Sequence, residues 1–174
     1  MMPLAEWLEH TVIALDLCPF AHRPWREKKI RTVESGAQSP FEAQEALALE
    51  LEKLHVTPNL STTLLGFPDW DIDFFAFLDF FYDMEGLLEE LELDREFQLV
   101  CFHPEFLLDG FPEESFAHWA NSSPMPVIHL LRRSDFTQAL GLPDARAISQ
   151  RNEERIARLD GASRQKKFPW KLSP

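Results

Sequence analysis

Phe97-Gln98-Leu99-Val100-Cys101-Phe102-His103-Pro104 and, after a long excursion, Val127-Ile128-His129-Leu130-Leu131-Arg132-Arg133 decide the fold of this chain. The first segment is apolar at consecutive positions, as a strand covered on both faces must be. The second reads as another strand. Two histidines and two arginines stand where one run ends and the next begins, and Asn121 lies just ahead of the second. Polar groups in such places either serve a site or belong to a fully bonded core network.

Working outward, Leu4, Leu8, Val12 and Leu15 recur at helical spacing, so residues 3–17 read as an amphipathic helix that stops before Pro19. Ile30–Glu34 and Thr62–Phe67 have the composition of strands. Between them Ser39-Pro40-Phe41-Glu42 opens a helix, with serine as N-cap, proline at the first helical position and glutamate three residues after the cap. Asp69–Asp73 supplies acids to the start of a phenylalanine-rich helix that runs to about Leu93. Residues 104–125 are too long for a structureless connection and predict a functional or locally helical segment, with a short helix opening at Pro112 and ending near Trp119. Ser134-Asp135 caps a short helix, and Ala145–Leu159 reads as the last one.

The expected fold class is α/β: a small four-stranded mixed sheet flanked by helices, in the order α-βαβαββ-α. Strands joined by helices should be parallel. The fourth strand pairs antiparallel with the third or lies elsewhere in the sheet. Element order matches a thioredoxin-like core, but the turn Ser35–Ser39 holds no cysteine, so the CxxC chemistry is missing. Residues 1–160 are expected to form one α/β domain. Residues 161–174 are read as a basic tail, frayed or folded back on the acidic helix, because four bases and no acids follow Gly161.

Composition excludes several classes. The net charge of −12 argues against nucleic acid, whose backbone demands a basic surface, and against an anionic membrane. Residues 69–96 alone carry −10. No apolar run reaches the roughly 18 residues of a spanning helix. With only Cys18 and Cys101, a disulfide scaffold is excluded and a reducing cytoplasm is the expected setting.

The candidate chemistry centres on the strand ends. If the third and fourth strands pair antiparallel, His103 and His129 are expected to lie within a few residues of each other at the carboxyl ends of the parallel strands, where open α/β sheets bind ligands. On that reading His103, His129 and Arg132 are candidate catalytic residues. Asn121 and an arginine would fix an anionic substrate, and a metal ion or haem would sit on the imidazoles. The structural alternative has His103 capping a strand end and His129 satisfied in the core; no zinc-like spacing favours the metal. Cys18 reads as a structural thiol at a helix C-terminus, with metal ligation or thiol redox chemistry as alternatives, and Cys101 as a core residue. Asp69-Trp70-Asp71-Ile72-Asp73 lacks the glycine and final glutamate of a calcium loop.

Several of these segments resemble a bacterial family, the domain of unknown function family 1415. They are Leu17-Cys18-Pro19-Phe20-Ala21, Thr62-Thr63-Leu64, Phe102-His103-Pro104, Asn121-x-Ser123-Pro124-x-Pro126, His129-Leu130-Leu131-Arg132 and Arg151-Asn152. The resemblance implies a single cytoplasmic domain and names no reaction. It favours one site shared by Cys18, His103, Asn121, His129, Arg132 and Asn152; our own candidate roles in it are substrate binding for Asn121 and Asn152 and metal ligation for His103, His129 and Cys18. Two positions depart from the family pattern: Ser122 stands where the family has arginine, and Arg133 where it commonly has an acid. The leading expectation is therefore an enzyme or metal- or cofactor-dependent protein with a His/Asn/Arg pocket for a small anionic ligand. The alternatives are a non-catalytic interaction module using a Phe/Trp-rich surface, and a thiol redox protein at Cys18.

Overall fold

Four strands, Ile30–Glu34 (β1), Thr62–Gly66 (β2), Phe97–Phe102 (β3) and Val127–Arg132 (β4), form one mixed sheet in the order β1-β2-β4-β3. The computed structural model describes residues 1–137 and 145–171. β1 and β2 are parallel, and β4 runs antiparallel to both β2 and β3. The fourth strand thus pairs with the third, as one of the two sequence options had it, and also separates it from β2. The α/β class stands. A thioredoxin-like core keeps its first strand inside the sheet; here β1 is at an edge, so that likeness ends with the order of elements.

Helices Pro40–Val56 (α3) and Phe74–Glu90 (α4) follow β1 and β2, after two short helical segments near the N-terminus, Leu4–Trp7 (α1) and His22–Arg26 (α2). The capping signals act as read. Ser39 accepts a hydrogen bond from the Glu42 N–H at 3.3 Å, and Glu42 reaches back to the Gln38 N–H at 2.8 Å. Asp73, the last acid of the run, accepts from the N–H groups of Phe75 and Ala76, both at 3.0 Å, and so serves as the N-cap of α4.

The sheet separates two apolar cores. On one face α3 and α4 pack Leu47, Leu54, Phe77 and Phe80 against Leu65, Leu99, Cys101, Ile128 and Leu130. On the other, Trp7, Leu8 and Val12 of the N-terminal segment pack with Leu64, Val127, Ile156 and Phe168. The N-terminal helix is α-helical only over α1 and widens to π-type spacing over Leu8–Ile13. It closes where Leu17 donates to the Val12 carbonyl, with Asp16 at φ 48. Gly66 is required by this packing: a Cβ there would sit 2.7 Å from the Met125 sulfur and 3.2 Å from Leu4 Cδ2.

The long excursion contains a 3₁₀ segment, Phe116–Asn121, capped by Ser115, a few residues later than the helix expected from Pro112. Helices Arg133–Thr137 (α5) and Ala145–Ala157 (α6) form where helices were expected, but α5 begins at Arg133, so Ser134 and Asp135 lie inside it rather than capping it, and α6 ends two residues before Leu159. The expected basic tail is different. Gly161–Lys167 is a helix (α7) capped by Asp160, and Phe168 beyond it is fully buried against Trp119 and Trp170. It docks on the N-terminal helix, where Thr11 donates to the Lys167 carbonyl at 2.8 Å, and not on acidic α4. Phe168 and Trp170 supply the apolar surface that a charge count overlooks. Residues 172–174 lie outside the described residues.

Candidate functional site

Register decides which polar residues meet. His129 pairs with Leu64 of β2 and Val100 of β3, so its side chain shares a face with those two. That face looks towards the N-terminal helix and α6. His103 continues the Phe97, Leu99, Cys101 series and therefore projects from the opposite face, among Phe74 and Phe77, with ring centroids 5.6 Å from each. The two histidines do not converge. This corrects the expectation of a shared imidazole pair, and with it the metal set of His103, His129 and Cys18. Among the described residues no three His, Cys, Asp or Glu side chains are grouped to hold a metal ion.

His103 is buried and fully bonded: Nε2–H donates to the Ile72 carbonyl at 3.0 Å, and Nδ1 accepts from the Glu105 N–H at 3.1 Å. Burial lowers its pKa despite the bond to Ile72 and the charges of Glu105 and Asp73. It ties the loop after β2 to the loop after β3, at the rim of a wide depression of about 950 Å³ that also holds Asp69, Asp71 and Lys171. Replacing His103 with alanine removes both bonds and the ring packing. The expected loss is about 2–3 kcal/mol in urea unfolding, with no change in Cys18 reactivity.

Arg132 is a clamp on α3, on the same face as His103. Its guanidinium donates to the carbonyls of Leu54, Thr57 and Leu60 at the helix C-terminus and to Glu96 at 2.9 Å. The Leu54 carbonyl also accepts the capping Thr57 N–H and the Thr57 carbonyl that of Leu60, so the planar five-donor fork adds second bonds where the chain leaves α3. Arg132 is therefore structural, not an anion contact. Arg132→Ala is expected to cost about 2 kcal/mol of stability, and Arg132→Lys to recover less than half, as measured by urea midpoint.

The remaining candidates do meet. Cys18, Asn121, His129 and Asn152, from four separate parts of the chain, line one cavity of about 350 Å³ between the sheet and the N-terminal segment. Most of its wall is apolar, and Thr62 and Gln98 join the polar set. Thr62 lies in one of the family-like segments but was given no role there, and no motif marks Gln98; their parity with His129 across the ladder is the signal that would have found both.

At the cavity floor Thr62 Oγ1 lies 2.5 Å from both His129 Nε2 and the Leu130 carbonyl oxygen. A hydroxyl has one proton. Donated to Leu130, it leaves the oxygen to accept Nε2–H, which assigns the tautomer and leaves Nδ1 as a lone-pair acceptor. Nδ1 has no hydrogen-bond partner among the described residues. Burial alone pushes the imidazole down to about 3, so it is neutral across the physiological range.

Cys18 lies between the end of the first helix and the start of α2, and its sulfur is approached by the Phe20 and Ala21 N–H groups. Burial outweighs these donors and pushes the thiol up, against a reactive thiolate. Cys101 lies in the other core, so the chain's two thiols are on opposite faces of the sheet. Asn152 is buried and donates to the Leu17 carbonyl at 2.8 Å, holding the Cys18 turn in place rather than presenting a free amide. Arg151 and Arg155 grip the Asp16 carbonyl beside it. Burial opposes ionisation of Asp16, but the hydrogen bond and charge of Arg155, with Arg151 and His22, hold its carboxyl below the usual range. Ser122, the departure from the family pattern, is buried, donating to the Pro104 carbonyl at 3.0 Å and accepting from Trp170 Nε1 at 2.6 Å. Arg133 donates to the Asp94 and Phe97 carbonyls.

Fold and cavity together define an α/β protein with a partly enclosed, mainly apolar chamber on the sheet face opposite α3 and α4. The chain belongs to the family described as Protein of unknown function (DUF1415), whose model matches residues 2–166. No curated protein and no solved structure matches it significantly. No helix among the described residues is long and apolar enough to cross a membrane.

Proposed function

We propose that this chain binds a small uncharged molecule in the cavity lined by Cys18, Asn121 and His129, and recognises it by hydrogen bonds and apolar contact. The observation that carries this reading is the gathering of sequence-distant polar side chains in one apolar chamber, with His129 Nδ1 left as an open acceptor. Cavities of this size and lining suit small ligands. The anionic ligand expected from sequence loses its support, since Arg132 is spent on α3. Proton transfer at neutral pH loses support too: a base works best with a pKa near the operating pH, and the imidazole lies far below it. Redox chemistry at Cys18 has no partner thiol within the chain. The net charge of −12 weighs against nucleic acid, and two unpaired thiols fit a reducing cytoplasm.

Alkylation tests this reading. N-ethylmaleimide is expected to label Cys18 in the native protein, more slowly than a free thiol because burial raises its pKa, whereas Cys101, pushed up to about 11 by burial, reacts only on unfolding. Ala120→Trp, which fills the chamber, should abolish native labelling. Native Cys18 as inert as Cys101 would show that the chamber does not admit a small molecule.

A second reading, a protein-interaction role, is favoured by one observation. Leu47, Leu51, Leu87, Leu91 and Phe97 line an apolar furrow between α3 and α4, with Leu91 59% exposed, beside the segment carrying −10. Its complement is a basic amphipathic helix. The furrow is rich in leucine rather than in Phe and Trp, which are mostly buried. A Leu/Lys helical peptide that binds wild type but not Leu91→Asp would support it; equal binding to both would remove it.

A further inference from the structure

We infer that the molecule taken by the cavity is a planar, uncharged heteroaromatic of one or two fused rings, carrying both a hydrogen-bond acceptor and a donor on its edge. This rests on the binding reading above. Three observations carry it. Trp7, Phe102 and His129 form a continuous run of rings along the chamber, with centroids 5.3 Å apart for Trp7–Phe102 and 6.1 Å for Phe102–His129. Such a run offers flat and edge-on contact to a flat ligand, and stacked or edge-to-face rings gain beyond their buried area.

The polar groups left without partners are mixed in kind. Trp7 is 1% exposed, and its Nε1–H has no hydrogen-bond partner among the described residues. The Asn121 side-chain amide has none among them either. His129 Nδ1 presents a lone pair. Trp7 Nε1 is sealed from the chamber, so a ligand there meets the other two groups, supplying an acceptor to the Asn121 amide and a donor to His129 Nδ1. A lactam or aminopyridine-type edge carries both within one ring. A pure hydrocarbon carries neither.

The wall also holds no charge: none of the described residues lining the chamber is Asp, Glu, Lys or Arg. A carboxylate or phosphate would lose its water there without a counterion, which is prohibitive. The chamber's volume of about 350 Å³ accommodates one or two fused rings, and it is the charge of a nucleotide's phosphate rather than its size that the wall disfavours.

The test compares three ligands of one shape against the intact chain by calorimetry: quinolin-2(1H)-one (neutral, donor and acceptor on one edge), naphthalene (no polar edge) and 2-naphthoate (anionic). Quinolinone is expected to bind at least tenfold tighter than either and to slow N-ethylmaleimide labelling of Cys18. Asn121→Ala and His129→Phe should each weaken quinolinone about tenfold and leave naphthalene within twofold; Asn121 is partly exposed, so its variant serves if the other fails to fold. Naphthalene binding as tightly as quinolinone would overturn the heteroaromatic class while leaving the cavity reading intact. Tightest binding by 2-naphthoate would overturn neutrality. If none of the three binds or protects Cys18, while labelling itself proceeds through the chamber, the ligand class falls; if native labelling is also absent, the cavity reading falls with it.

Discussion

Phe168→Ala is expected to lower the stability of the whole chain by about 3–5 kcal/mol, a fall in Tm of roughly 10 °C for a chain of this length. Phe168 follows a helix of seven residues whose own surface is mostly exposed, so residues 161–171 gain little from helix formation alone. The fully buried ring is wedged edge-on between Trp119 and Trp170, at 5.3 and 5.7 Å, and packs with the core of Trp7, Leu8 and Ile156. Truncation removes a large apolar surface and leaves a void against side chains fixed by the sheet. Urea unfolding followed by tryptophan fluorescence reads both effects, since two of the five tryptophans touch the ring. Lys166→Ala, on the exposed face of the same helix, should change stability by less than 0.5 kcal/mol. A Phe168→Ala variant as stable as wild type would mean that the segment is a loose tail after all.

Acid is expected to destabilise the fold through His129 before general carboxylate titration is complete. The unfolded imidazole takes up a proton near pH 6.5, but the folded one only near 3. Between these values the unfolded state binds more protons, so stability rises with pH across this window. The contribution is full above about pH 6.5 and is lost as pH falls towards 3. A shift of this size is worth at most about 5 kcal/mol, and water reaching the half-buried ring reduces it to roughly 3 kcal/mol. His103, also lowered by burial, adds in the same direction. Urea midpoints at pH 7 and 4.5 measure the effect. His129→Gln keeps a hydrogen-bonding amide, does not titrate, and should lose about 2 kcal/mol less than wild type between the two pH values. An NMR titration in which the His129 ring ionises near pH 6 would contradict the argument directly.

The local rules were legible because they depend on neighbours in sequence. Ser39 and Asp73 cap their helices through their own following N–H groups, and consecutive apolar residues in Phe97–Phe102 need cover on both faces whatever the partners are. Four of the six candidate site residues were brought together for a different reason: Cys18, Asn121, His129 and Asn152 lie in segments that resemble one family, and they line one chamber. The other two, His103 and Arg132, lie on the opposite face. Arg132 has the opposite parity to His129, and its donors are absorbed by carbonyls at and just beyond the end of α3 that no sequence motif announces. Phe168 was hidden because charge near a terminus is visible in sequence, while the pocket for one aromatic ring is not.

The central sequence, from His103 to Arg133, by itself determined that strands end there and that its polar groups must be bonded or functional, because alternation and the cost of burying polar atoms act on any fold. Only the tertiary structure decided which of them meet. Phe102 pairs with Val127 and Val100 with His129, so His129 faces the chamber while His103 faces the phenylalanines of α4. Side chains alternate with period two, so a register displaced by one residue would have put both histidines on one face. That register is set by the two cores packing on the sheet, and no local signal in either strand encodes it.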